Sequence, residues 1–172
     1  MKEKANKPKA ERKHFAGYFP AARNGDVDKI HQLLDDGVNI DKRNQYGETA
    51  LMQASQSGNL GCVQLLLDRG ADANAVNKYG ASAISYACSK VDILKLLLDH
   101  GANVDYRDED EMTPLMYACM FTRLNCVALL LERGADVTLR DENGDTALDH
   151  CKTDEIRKML EDAANKIDYV LK

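Results

Sequence analysis

The chain has 172 residues, 44% of them hydrophobic, enough to bury one moderate core and too few for two ordinary domains. Its formal charge is −5, but residues 1–14 set Lys2, Lys4, Lys7, Lys9, Arg12 and Lys13 against Glu3 and Glu11, a local net of +4, so the rest carries −9. A body that acidic repels phosphate backbones, and nucleic acid is not an expected partner.

Residues 1–13 are charged and almost free of apolar side chains, and a disordered basic arm is expected there. The arm lacks the apolar run of a secretory signal, and nothing downstream reaches the ~18 apolar residues of a membrane span, so a soluble chain without a membrane partner is expected. Five cysteines are an odd number, with no Cys-x-x-Cys pair and no Asn-x-Ser/Thr acceptor. This usage points to a reducing, cytoplasmic location, unless Met1 replaces a removed signal.

The stretch "FPAARNGDVDKIHQLLDDGVN" predicts a first pair of helices with a polar outer face, Asn24-Gly25 as the turn between them, and Ile30, Leu33 and Leu34 facing the body. After it the chain repeats itself. "GETALMQASQSGNLGCVQLLLDRGADAN" at 47–74 recurs as "GASAISYACSKVDILKLLLDHGANVD" from 80 and "EMTPLMYACMFTRLNCVALLLERGADVT" from 111, and starts again as "GDTALDHC" from 144. Gly37, Gly70, Gly101 and Gly134 step by 33, 31 and 33, as do Thr49, Ser82, Thr113 and Thr146. A period near 33 is the mark of stacked supersecondary units.

Each residue type has a physical reason. Thr49, Ser82, Thr113 and Thr146 can each N-cap a first helix, with Pro114 at a first helical position where its missing N–H costs nothing. Leu51, Ile84, Leu115 and Leu148 follow two places on, and the small Ala54, Ala87, Ala118 and Cys151 five places on, where a neighbouring helix must approach closely. "VQLLL", "LKLLL" and "VALLL" are apolar nearly all round, which suits second helices buried between units, with Leu66, Leu97 and Leu130 in the core. A Gly follows each of them, suited to the left-handed position after a helix. The connecting turns open with Asn44, Asn77, Asp108 or Asp141, whose side chains bond their own backbone two places on. Three of those turns close with Gly47, Gly80 or Gly144; the other has Glu111, which must strain or change the turn.

In the tail, Ile156, Leu160, Ala163, Ile167 and Leu171 recur at helical spacing beneath a charged face, as a terminal cap requires; a short coiled coil is the alternative. In period, order and residue type, residues ~15–165 resemble the ankyrin-repeat family, with boundaries uncertain by a residue or two. The resemblance implies an all-α repeat solenoid of helix-turn-helix units joined by β-hairpin loops, with units near 14–46, 47–79, 80–110, 111–143 and 144–172. One departure is the absence of the family's His in "TALM", "SAIS", "TPLM" and "TALD", so any capping bond from that His is absent.

Catalytic chemistry is not expected. His150 and Cys151 are adjacent and point to different helix faces, and Cys62, Cys88, Cys119 and Cys126 sit in repeated slots suited to buried thiols. No Gly-rich phosphate loop, Gly-x-Ser-x-Gly or His-Glu-x-x-His occurs, and a metal site would need closer ligand clustering, so no enzyme activity, cofactor or metal is expected. Asn74 in "LLLDRGADAN" looks like ankyrin asparagines that a hydroxylase modifies in animal proteins, or it simply bonds across its own hairpin.

Family members mostly bind other proteins through the wall formed by hairpin tips and first helices. Mapped onto this chain, that wall comprises Tyr46, Gln56, Tyr79, Glu109, Asp110, Met112, Met120 and Phe121. Tyr117 stands four residues before Phe121, and Tyr86 is its counterpart one unit earlier. An aromatic and Met cluster rimmed by acids suits a protein hot spot that meets a basic patch, although Tyr117 and Phe121 could equally fill the groove between units. The expected function is a non-enzymatic, monomeric recognition module; an inhibitor that occludes the cleft of a partner enzyme is the alternative. The third unit spans 19 residues from Ser82 to Gly101 where its neighbours take 21, so its first helix should end early and leave a notch near Gln56, Ser57 and Phe121.

Overall fold

The computed structural model describes residues 17–170, with side chains to 165; the basic arm, Ile167 and Leu171 lie outside what is described of side chains and packing. Four helix pairs follow one another: α1 (Tyr18–Asn24) with α2 (Val27–Asp35), α3 (Ala50–Ser57) with α4 (Leu60–Asp68), α5 (Ala83–Ala87) with α6 (Val91–Asp99), and α7 (Pro114–Met120) with α8 (Leu124–Glu132). A long helix, α9 (Asp154–Val170), closes the stack. First helices pack on first helices and second on second, with α9 on α8, so the chain is an all-α solenoid. Among the described residues the hairpins carry no ladder, only isolated bridges between Val76 and Ser82 and between Arg140 and Thr146.

The core follows the repeat. Leu66, Leu97 and Leu130 are fully buried, as are Ala54, Ala87 and Ala118 in the small slot. Ile30 and Leu33 are buried beneath the first pair and Ile156 and Leu160 beneath α9, so both elements pack onto the stack. Thr49 and Thr113 cap α3 and α7, each accepting the N–H three residues on at 3.3 Å. The bond expected to vanish with the family's His is remade: the Thr49 and Thr113 N–H groups donate to Met52 and Met116 Sδ at 3.4 Å, and Ser82 N–H to Ser85 Oγ at 3.4 Å. Sulfur is a weak acceptor, but it satisfies the buried N–H groups of Thr49 and Thr113.

Thr146 does not open a helix, contrary to expectation. The Asp149 carboxylate takes both the Thr146 N–H at 2.8 Å and its hydroxyl at 2.7 Å, the segment makes a single turn, and Thr153 already caps α9 through Ile156 N–H. Too few residues separate the two caps for a helix and a turn.

Between units runs a continuous chain of side-chain to backbone bonds. Asn39 Oδ1 accepts from Asp41 N–H, Asp41 from Asp72, Asp72 from Asn74, Asn74 from Asn103, Asn103 from Asp105, Asp105 from Asp136, and Asp136 from Thr138, all at 2.8–3.0 Å. Asn74 therefore bonds to the next unit, with its Nδ2 donating to Gly101 O at 2.9 Å, and not across its own hairpin. A second series links the ends of the second helices: Asp35 with Arg69 at 3.0 Å, Asp68 with His100 at 3.5 Å and Asp99 with Arg133 at 2.8 Å. Exposed pairs of this kind add little individually.

α5 does end early, five residues long against eight in α3 and seven in α7. Lys90 folds into the space the shorter turn leaves, its Nζ donating to Tyr86 O at 3.0 Å and its stem lying over Gly58 beside Gln56 and Ser57. A recess near the shortened turn is lined by Ser89, Val91, Thr122, Arg123 and Asn125.

Among the described residues two other than Gly adopt positive φ, both in the fourth unit: Glu111 at 60° and Thr122 at 57°. Glu111 keeps the geometry that Gly has in the other turns, and its carboxylate meets Arg107 Nε at 2.5 Å. Thr122 stands where Gly25 and Gly58 close α1 and α3, and a β-branched residue there is strained. Thr122→Gly should raise the unfolding free energy in urea by about 1 kcal/mol, the relief of left-handed strain less the entropy of Gly; a loss would show that the turn is not strained. Leu130→Ala should lower it by about 2–5 kcal/mol, and an unchanged curve would displace the helix register described here.

Candidate functional site

The wall is built by a device that recurs in every hairpin. Asn44, Asn77, Asp108 and Asp141 each use Oδ1 to accept the N–H groups two and four residues on, at 2.8–3.1 Å, which shapes the tip. The other side-chain atom reaches the first helix or, in the last unit, the turn that replaces it. Asn77 Nδ2 donates to Tyr86 Oη at 3.2 Å, Tyr117 Oη donates to Asp108 Oδ2 at 2.6 Å, and His150 Nε2 lies 2.9 Å from Asp141 Oδ2. In the second unit Asn44 and Gln53 both donate to Glu48 Oε2 at 2.7 Å. Hairpin and helix are thus held as one piece, which presents the tips on a rigid frame.

Of the expected wall residues, Tyr46 (47% exposed), Tyr79 (62%) and Phe121 (53%) stand in solvent, as do Gln56, Glu109 and Asp110. Tyr86, Tyr117 and Met120 are half-buried against the core. Met112, expected on the wall, lies in the core at 8% exposure, because its apolar side chain packs inward where its counterparts Glu48 and Asp145 carry charge. Tyr117 and Phe121 stack nearly parallel, 7° between planes and 6.3 Å between centroids, so the fixed Tyr117 ring supports an exposed one. Burial, and then the adjoining Asp108, push the Tyr117 phenol well above its usual range, so it remains a donor at neutral pH.

Beside this pair, a recess of ≈ 270 Å³ lies between the fourth and fifth units, lined by Asp110, Tyr117, Met120, Asp141, Glu142 and His150, with Met112 in its floor. Glu142 N–H donates to Asp110 O at 3.2 Å, tying the two tips together. Larger hollows of ≈ 590 and ≈ 530 Å³ flank α9, the first between α8 and α9 and the second beside the turn at Thr146 and Leu148 that stands in place of a first helix. The sequence did not reveal the second, because it read Thr146 as a helix start.

Burial raises every thiol: Cys88 is pushed up to about 12, and Cys62, Cys119, Cys126 and Cys151 also lie above their ordinary value. A nucleophile needs the opposite shift. Cys151 Sγ donates to Ala147 O at 3.4 Å while the adjacent His150 turns to Asp141, so the two do not form a pair. Burial by itself would raise the Asp141 carboxyl, but the Asp145 N–H, the His150 ring and the Asn143 N–H outweigh it and hold Asp141 below the usual carboxylate range. Ligand-type groups lie near one another at one place among the described residues, where donor atoms of Asp141, Asp145 and His150 are all within 4.8 Å of one another.

No helix among the described residues is long and apolar enough to cross a membrane. Comparison with known proteins gives one family: ankyrin repeats (three copies) match residues 19–108, 61–141 and 91–169. Similar proteins include "ankyrin repeat, SAM and basic leucine zipper domain-containing protein 1" of Ovis aries and of Bos taurus, each 35% identical over 99 residues, and that of Mus musculus, 39% identical over 99. Each match takes in 58% of this chain and 14% of the relative, so the chain spans about a seventh of those proteins. With stacked helix pairs, repeated caps and tips bonded from one unit to the next, the chain belongs to the ankyrin-repeat family, whose repeats generally serve as protein–protein interaction modules.

Proposed function

We propose that this chain is a non-enzymatic recognition module that binds another protein on the wall of its third to fifth units. Phe121 is the anchor, Tyr79, Met120 and Tyr117 widen the contact, and Glu109, Asp110 and Glu142 form an acidic rim that meets a basic patch. The observation that carries this reading is the Phe121 ring, 53% exposed yet stacked on a Tyr117 whose hydroxyl is bonded at 2.6 Å to Asp108. A rigidly supported, solvent-facing aromatic is available to a partner at little ordering cost. The acids act mainly on encounter, speeding association with a cationic surface. Five free thiols, four of them buried, suit a reducing compartment such as the cytoplasm.

Phe121→Ala should lower stability by less than ~1 kcal/mol, as surface substitutions usually do, and weaken a partner recovered by pull-down by ~2 kcal/mol or more, as loss of an anchor does. One urea curve and one binding titration decide it. Unchanged binding with a stability loss of ~3–5 kcal/mol would make the ring a groove filler. If the recovered partner is an enzyme, loss of its activity on titration would identify this chain as an inhibitor.

A further inference from the structure

We propose that Asp141, Asp145 and His150 form a binding site for a divalent cation of borderline softness, zinc(II) above all, on the hairpin of the last unit. Their donor atoms lie within 4.8 Å of one another. His150 Nε2 and Asp141 Oδ2 are 2.9 Å apart, which suits two ligands about 2.0–2.2 Å from one ion near a right angle, and the exposed Asp145 carboxylate swings inward to join them, since two such ligands stand at most about 4.4 Å apart.

The repeat itself shows what the fold requires at these positions. The three residues recur with the same spacing as Asn44, Glu48, Gln53; as Asn77, Ala81, Tyr86; and as Asp108, Met112, Tyr117. The third member has a structural task in every unit, tying helix to hairpin, but Tyr86 and Tyr117 perform it with a phenol. The middle member contributes its backbone N–H, and Ala81 and Met112 serve as well there as Asp145. Only in the last unit do all three side chains become metal ligands.

The set is also prepared for an ion. Asp141 is held by two backbone N–H groups on Oδ1, at 2.9 Å each, which leaves Oδ2 for the shared contact with His150. Ligands oriented by such outer bonds bind more tightly than free ones. The neighbouring Asp149 is engaged by Thr146, and Arg140 is turned to Gly144 O at 2.6 Å, so neither competes. Asp145 has no side-chain bond or ion pair among the described residues. On binding, the ion replaces the hydrogen between His150 and Asp141: the ring gives its Nε2 lone pair to the metal and carries its hydrogen on Nδ1. An imidazole with two carboxylates suits zinc, whereas magnesium avoids nitrogen and gains little here.

The test is a zinc titration of the full chain by calorimetry, with histidine ring resonances followed by NMR. The first equivalent should shift the His150 ring before those of His31 and His100. His150→Tyr recreates the pairing of Tyr117 with Asp108 and keeps the hairpin tied while removing the ligand; it should weaken zinc binding at least tenfold. Asp145→Asn, which touches no side-chain bond of the fold, should do likewise without moving the melting temperature, and it decides the matter if His150→Tyr proves unstable. Magnesium should shift no ring. Equal zinc affinity in wild type and Asp145→Asn, first shifts at His31 or His100, or no binding at all would overturn the proposal.

Discussion

A single helix pair cannot bury both of its faces, and the whole molecule follows from that constraint. Leu66, Leu97 and Leu130 reach full burial only because each second helix is covered by a neighbour on either side. The small residues of the first helices set the separation, and the chain of bonds from Asn39 to Thr138 sets the register between hairpins. Once core and register are fixed in this way, the hairpin tips and the outer ends of the first helices are free of folding duties. Side chains there can vary, and it is there that Tyr46, Tyr79 and Phe121 stand exposed.

The fourth unit departs most from this economy. Glu111 at its hairpin and Thr122 after its first helix both hold a left-handed backbone that other units assign to Gly. These two residues bracket α7, the helix that carries Tyr117, Met120 and Phe121. Strain of this kind costs of order 1–3 kcal/mol at each position, and it persists where surrounding structure over-determines it. The tie from Asp108 to Tyr117 and the ion pair from Arg107 to Glu111 supply that determination. The same unit therefore combines the exposed ring, the acidic tip and the least relaxed backbone.

Much of this was legible in the sequence because the relevant information is periodic. The caps at Thr49 and Thr113, the early end of α5 and the strained turn at Glu111 all follow from comparing equivalent positions, whereas comparison left Phe121 open between wall and groove. What escaped depends on geometry that the period does not carry. Thr146 has the residue type of a cap, but the nearby Thr153 leaves no room for its helix. Met112 has a wall position in the sequence, yet its apolar side chain packs into the core. Asn74 reaches forward to Gly101 in the next unit, a contact that spacing within one hairpin cannot reveal. The clustering of Asp145 with Asp141 and His150 needs hairpin and turn to fold together before it exists.

The central claim is that recognition occurs on the wall of the fourth unit and not on the opposite side of the stack. Photo-crosslinking addresses it directly, with a photoreactive phenylalanine analogue placed at Phe121 in one version of the chain and at the exposed Ala128 on α8 in another. The account predicts a crosslinked partner from position 121 and none from position 128. Crosslinking from Ala128 with none from Phe121 would contradict it and move the binding surface to the second helices.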